Sequence, residues 1–418
     1  MPVVARPDAG NAIRQEADGS SATRRTDLDL MRAFVVVGLV AFHSAMVFAP
    51  GTDWFVTDPH SSAGFSVLLL WGSLWGMPLL FVVSGMGVRY ALRRRSAGAF
   101  VRERLTRLLV PFVTGLVLLV PPMFYVARLS QPGFREPYWR FWLDFMNVPS
   151  MAATLLPRGS WTSGTQEFDP AHLWFLYVLL VLTLVLLPVF VFLRGPRGSR
   201  VVERLAGAAE RRPLLALAVA AVPVMAVETA FGPDVNTGGW ERVSYLFPLL
   251  YGFLLASDDR FSSVLQRERR WALAVAVFAT GALLAWTASV VSFGSSLPTG
   301  WGALQGLAGW AWLAAILGFG SALRGRRSVV RPVRAAPARA WRWPRAASYA
   351  NEAVLPFYLL HEPVIVLVAW YVVGWQAPDL AKYLVLVAVS LTITVGLYEL
   401  LVRRFRVTRL LFGMKPAR

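Results

Sequence analysis

The sequence predicts an all-α fold: a polytopic membrane helical bundle of about ten transmembrane helices, with both termini in the cytoplasm. Three observations predict it. Ten segments approach or exceed the roughly 20 apolar residues that a helix needs to cross a bilayer core. Basic residues concentrate in alternate connections between those segments, as the positive-inside rule requires. The chain is also 56 % hydrophobic and only 16 % charged, with mean hydropathy +0.52, whereas average usage is about 25 % charged.

Residues 1–29 are polar and mixed, without the apolar stretch of a cleavable signal, and are expected to form a disordered cytoplasmic tail. The expected spans, within one transmembrane domain over 30–402, are Leu30–Ala49, Phe65–Tyr90, Leu105–Ala127, Ala171–Leu193, Pro213–Phe231, Val243–Ser257, Trp271–Phe293, Trp301–Leu323, Ala347–Val373 and Leu380–Val402. The sixth is the shortest. Inner connections hold 36 of the 42 Lys and Arg, and a miscounted helix would break that alternation. Residues 403–418 read as a basic cytoplasmic tail. The outer connections are short except 130–170, which carries Tyr138, Trp139, Trp142 and Trp161. Such a loop suits either an interfacial aromatic belt or a ligand surface. No repeat relates the two halves of the chain, which weighs against transporters built from repeats.

The formal charge of +18 lies between apolar runs, so it points to an anionic membrane surface or an anionic cytosolic ligand rather than to nucleic acid. With no cysteine, disulfides, thiolate nucleophiles and Cys-ligated metals are excluded.

Four histidines are present. His60 sits in a short polar loop. His43, His172 and His361 fall in or at the edge of spans, where an ionisable group is either satisfied across helices or functional. The expected topology puts all three at middle to outer depth. Pro363, two residues after His361, interrupts the local hydrogen-bond ladder. In "RAFVVVGLVAFHS", Arg32 and His43 are eleven positions apart, hence on one helical face and roughly 16 Å apart along the axis. Asp29 is placed to pair with Arg32. Guanidinium suits phosphate and imidazole suits removal of a hydroxyl proton, so one face joins two parts of a group-transfer site. Arg32 could equally be a snorkelling boundary residue. "RERLTR" adds Arg102, Arg104 and Arg107, with the last two neighbours on one face, in a loop that is basic on any reading.

Together these elements resemble the acyltransferase-three family of integral membrane acyltransferases, in its stand-alone form. The resemblance covers nearly the whole chain. It rests on "LDLMRAFVVVGLVAFH", which carries an Arg-x10-His pattern at Arg32 and His43, and on "RLTR" at Arg104 and Arg107. "PLLFVVSG" (Pro78 to Gly85), "HLWFLYVLL" from His172 and "FYLLHEPVI" around His361 support it. "YGFLLASDDRF" and "HEP" look most like the glucan biosynthesis protein C branch. The resemblance implies a bacterial plasma-membrane enzyme that moves an acyl group from cytosolic acyl-CoA, as co-substrate, to a hydroxyl of a glycan or other envelope or secondary-metabolite acceptor. It implies no tightly bound cofactor and no nucleic-acid partner. By carry-over His43 is the catalytic base, and Arg32, Arg104 and Arg107 bind the donor. The pocket is expected to include His361, Glu362, His172, Trp174, Ser84 and Asp29. Ser84 reads as a small residue at a helix contact rather than a nucleophile.

The rival from another class is a proton-coupled transporter of a polar solute, with Glu228 and Glu399 joining the histidines in a relay. A membrane scaffold is the third reading. No metal site is expected, because the histidines lie on separate helices without local ligand spacing.

Overall fold

The computed structural model describes residues 31–52, 54–146, 170–231, 240–293, 300–329 and 342–414. The expected tail 1–29 with Asp29, and Trp161 of the outer loop, lie outside them. All regular structure among the described residues is helical. The order is α1 (Met31–Met46), α2 (Ala63–Arg94), α3 (Ala97–Leu129), α4 (Tyr138–Phe145), α5 (Trp174–Val185), α6 (Leu187–Arg194), α7 (Pro196–Arg211), α8 (Pro213–Phe231), α9 (Leu246–Leu255), α10 (Asp259–Phe293), α11 (Gly300–Val329), α12 (Arg342–Val372), α13 (Asp379–Val402) and α14 (Arg406–Leu411).

Among the described residues, seven helices are long and apolar enough to cross a membrane, and the bent pair α5–α6, taken as one span, makes an eighth. The other two of the ten expected spans are shorter apolar helices, Met31–Met46 and Arg242–Leu255. The described part of the first, Met31–Met46, rises about 24 Å. The sixth segment is short because Trp240–Tyr245 is a 3-10 turn and only α9 is regular.

Prolines set the irregularities. Pro188 lacks the N–H that would reach the Leu184 carbonyl, and the α5–α6 pair bends there by 52°. Pro111 likewise cannot reach Arg107, and Leu105–Leu109 immediately before it is a π-helical turn, a form often found at functional sites.

The core runs through the bundle on large buried side chains such as Phe48, Phe81, Phe190 and Phe253. Its tightest crossing joins α2 to α9. A Cβ on Gly85 would lie 1.9 Å from the Leu249 carbonyl oxygen, and one on Gly252 would lie 1.9 Å from that of Val82. Phe190 stacks on Phe253 beside it, with centroids 4.7 Å apart. At the other end of the chain, the expected basic tail folds back as far as it is described. Arg409 of α14 pairs with Glu352 at 2.8 Å, and Phe412 and Met414 are buried.

The loop after α1 is fixed by a buried ion pair: Lys382 Nζ lies 2.5 Å from Asp58 Oδ2. Tyr383 next to it donates to the Ala41 carbonyl at 3.3 Å, two residues before His43. Removing Lys382 leaves the buried Asp58 without its close counter-ion, and removing Asp58 leaves the buried Lys382 only the longer contact to Asp379 at 3.5 Å. Asp58→Leu or Lys382→Met alone is expected to destabilise the fold by about 3–5 kcal/mol, while the double substitution recovers most of the loss. Thermal unfolding in detergent checks this, and a double variant no more stable than the worse single would refute it.

Candidate functional site

The three intramembrane histidines converge. His43 Nδ1 on α1 lies 2.9 Å from His361 Nε2 on α12. The His172 ring is edge-on to that of His361, with centroids 5.3 Å apart. His361 and His172 are buried, while His43 remains partly exposed.

Backbone carbonyls set the direction of this network. A carbonyl only accepts, so the 2.6 Å contact from His361 Nδ1 to the Tyr358 carbonyl places a proton on Nδ1. In a neutral imidazole Nε2 is then an acceptor, and His43 Nδ1 must donate to it. That leaves His43 Nε2 with its lone pair, on the one ring of the three that stays reachable. The order is carbonyl, His361, His43, each ring fixing the tautomer of the next.

His172 is set by a second carbonyl. Pro363 cannot donate to Leu359, its partner four residues back. The Leu359 carbonyl instead receives His172 Nε2 at 3.2 Å. His172 Nδ1 then faces Glu362 Oε2 at 2.9 Å, an ion-pair distance at which neither atom meets hydrogen-bond geometry. Two acceptors at that distance require one proton between them, carried by either residue. Tyr358 donates its hydroxyl to the His172 carbonyl and ties α12 to the 3-10 turn Ala171–Leu173. Ala171 starts that turn at φ +48°, a left-handed conformation that costs a non-glycine residue about 1–2 kcal/mol. The outlier lies next to His172, where strain is retained if the surroundings enforce it.

Nitrogens of His43 and His361 and a Glu362 carboxylate oxygen come within 4.8 Å of one another, a set that could hold a divalent cation. Local spacing does not reveal it, because the ligands come from α1 and α12. The His43–His361 contact is itself a hydrogen bond, so a cation would have to displace it; the geometry suits a proton relay directly.

About three turns from His43, Arg32 donates to the Val83 carbonyl of α2 at 3.1 Å. The shared face of α1 therefore lies along the groove between α2 and α12. Arg104 stands over the Phe100 ring, 5.0 Å from guanidinium carbon to centroid, and lies within electrostatic reach of Arg32, Arg107 and Arg95. Glu103 pairs with both Arg95 and Arg107. Arg104 has no hydrogen bond or ion pair to an acid among the described residues. Guanidinium groups clustered in this way repel one another, and an anion of several charges relieves that repulsion.

Not every expected pocket residue joins the cluster. Ser84 is buried beside the Gly85 crossing and makes no hydrogen bond to the histidines. Trp174 packs on Tyr245 with centroids 5.5 Å apart and lies under Arg242. Glu228 lines a separate cavity of about 60 Å³ with Ser244 and Gln305. Glu399 pairs with Arg403 at 3.0 Å. Among the described residues, neither glutamate joins the histidine cluster. Tyr358 is the participant the sequence did not single out; Pro363, four residues after Leu359, signals only that the Leu359 carbonyl is freed.

The acyltransferase domain family matches residues 25–399. Among curated proteins the chain is similar to the "Glucans biosynthesis protein C" of Salmonella paratyphi B and of Salmonella heidelberg. Both are 24 % identical over 174 residues, which is 40 % of this chain and 40 % of theirs. The alignment thus spans well under half the length of those relatives. No solved structure matches significantly.

Proposed function

The chain belongs to the acyltransferase domain family, and from that membership we propose a membrane-bound O-acyltransferase that uses acyl-CoA. The acyl group, acetyl, succinyl or similar, passes to a hydroxyl of a carbohydrate or related envelope or secondary-metabolite acceptor. The observation that carries this reading is the directed chain from the Tyr358 carbonyl through His361 to His43. It leaves a lone pair on His43 Nε2, positioned to act as general base.

In the step proposed, His43 Nε2 takes the proton of the acceptor hydroxyl as that oxygen bonds to the thioester carbonyl carbon. Collapse of the tetrahedral intermediate breaks the carbon–sulfur bond. The leaving thiolate takes the proton from His43, giving ester and free coenzyme A and restoring the base. His361 holds the imidazole in orientation and stabilises the charge it gains. Arg32, Arg104 and Arg107 hold the phosphates of the donor at the other end of α1. This assigns both termini to the cytoplasm of a bacterial plasma membrane, in keeping with the basic inner connections. The glycan acceptor follows the name of the curated relatives.

The test is purified protein with labelled acetyl-, succinyl- and longer acyl-CoA, scoring thiol release that depends on added glycan. Arg104→Gln is expected to raise the donor KM by about 10- to 100-fold, the worth of one charged hydrogen bond, with little change in kcat. Vesicles that took up a solute with protons and released no coenzyme A would reject the assignment.

A further inference from the structure

The connection α7 has a face that acyl transfer does not use. It joins α6 to α8, so it lies across one end of the bundle. Gly198, Val202, Ala206 and Ala209 are its buried side. Arg197, Arg204 and Arg211 recur every seven residues and share another face. On one flank of that arginine row stand Val201 and Leu205, one turn apart and 37 % and 48 % exposed. On the other flank is a cleft of about 340 Å³ lined by Arg200, Glu203, Arg204, Gly207, Arg211 and Arg260.

Gly207 is what opens the cleft. A Cβ there would come within 3.5 Å of Nη1 of both Arg211 and Arg260, so two guanidinium groups meet over the bare backbone. Arg260 is fixed in place. Its Nε and Nη2 donate to the Asp258 carboxylate at 3.1 and 2.8 Å, and Nη2 also donates to the Glu203 carbonyl at 3.2 Å. Four arginines line the cleft with Glu203, and Asp258 and Glu210 also act on Arg260, which leaves a small cationic excess. Across the arginine row from the cleft, the exposed Val201 and Leu205 supply what a soluble anion does not need: a surface for hydrocarbon.

We infer that this cleft binds the phosphodiester headgroup of an anionic phospholipid, whose acyl chains run along Val201 and Leu205. The charge of the arginine row matches the headgroup, and arginines flanked by exposed apolar residues are the pattern of an interfacial helix. The inference is independent of the acyltransferase reading.

The experiment uses the full-length protein in nanodiscs of equal phosphatidylglycerol and phosphatidylcholine, with native mass spectrometry of the retained lipid. The wild type is expected to retain phosphatidylglycerol preferentially. Arg204→Gln with Arg211→Gln should lower that preference by about fivefold for each arginine removed. Gly207→Leu, which keeps every charge and fills the cleft, should lower it too, and decides the matter if the double variant does not fold. Unchanged preference in the folded variants overturns the proposal. So does a result in which inorganic phosphate or coenzyme A binds the wild type and not the variants while lipid preference is unaltered, because the cleft would then be a soluble-anion site.

Discussion

His43→Ala is expected to lower the rate of acyl transfer by about 10²- to 10⁴-fold, the range for loss of a positioned general base. The loss should fall on kcat. Of the arginines proposed to hold the donor, Arg32 lies about three turns away and keeps its own anchor, the bond to the Val83 carbonyl. The donor KM is therefore expected to change by less than about threefold, since uniform binding is untouched. The bundle should remain folded: His43 is partly exposed, and its loss leaves His361 anchored to the Tyr358 carbonyl. His361→Ala keeps the base but frees its tautomer and orientation, so it is expected to fall between wild type and His43→Ala. Turnover by a purified, monodisperse His43→Ala protein at more than a tenth of the wild-type rate would remove this residue from the chemistry.

What was legible follows from how far along the chain each interaction reaches. The spacing of Arg32 and His43 was readable because it lies within one helix, whose geometry is known in advance. The all-helical bundle was readable from apolar runs and charge alternation, for the same local reason. Convergence of His43 with His361 joins α1 to α12 across most of the chain, and no spacing encodes that. The tautomers were less accessible still. They depend on the Tyr358 and Leu359 carbonyls, and Pro363 marks only the second of these. The pair of Lys382 with Asp58, from the loop after α1, joins positions 324 apart and is likewise encoded by no local spacing. The tail beyond Arg403 read as merely basic because its anchors, Phe412 and Met414, are single apolar residues among arginines.

Gly85→Ala and Gly252→Ala are each expected to abolish folding or cost more than about 4 kcal/mol, the rare tail of point substitutions. The "SG" element of α2 shows why. The small-residue reading of the sequence pointed to Ser84, yet Gly85 is the residue that touches backbone. Its missing Cβ is occupied by the Leu249 carbonyl oxygen, and that of Gly252 by the Val82 carbonyl oxygen, each 1.9 Å from where the carbon would sit. A flexible side chain could move aside; a carbonyl within a helix cannot without breaking its own ladder. Relief therefore means separating α2 from α9. Separation would open the stack of Phe190 on Phe253 and draw Arg89 off the Phe253 ring, 5.7 Å from its centroid. It would also shift Val83, the carbonyl partner of Arg32, so the donor end of the site depends on this crossing. Ser84→Ala, one position earlier and equally buried, removes only a hydroxyl and is expected to stay within about 1 kcal/mol of wild type. Yield of monodisperse protein and its unfolding temperature separate the two cases. A Gly85→Ala protein that extracts and melts like the Ser84→Ala control would mean the two backbones do not meet as closely as this crossing requires.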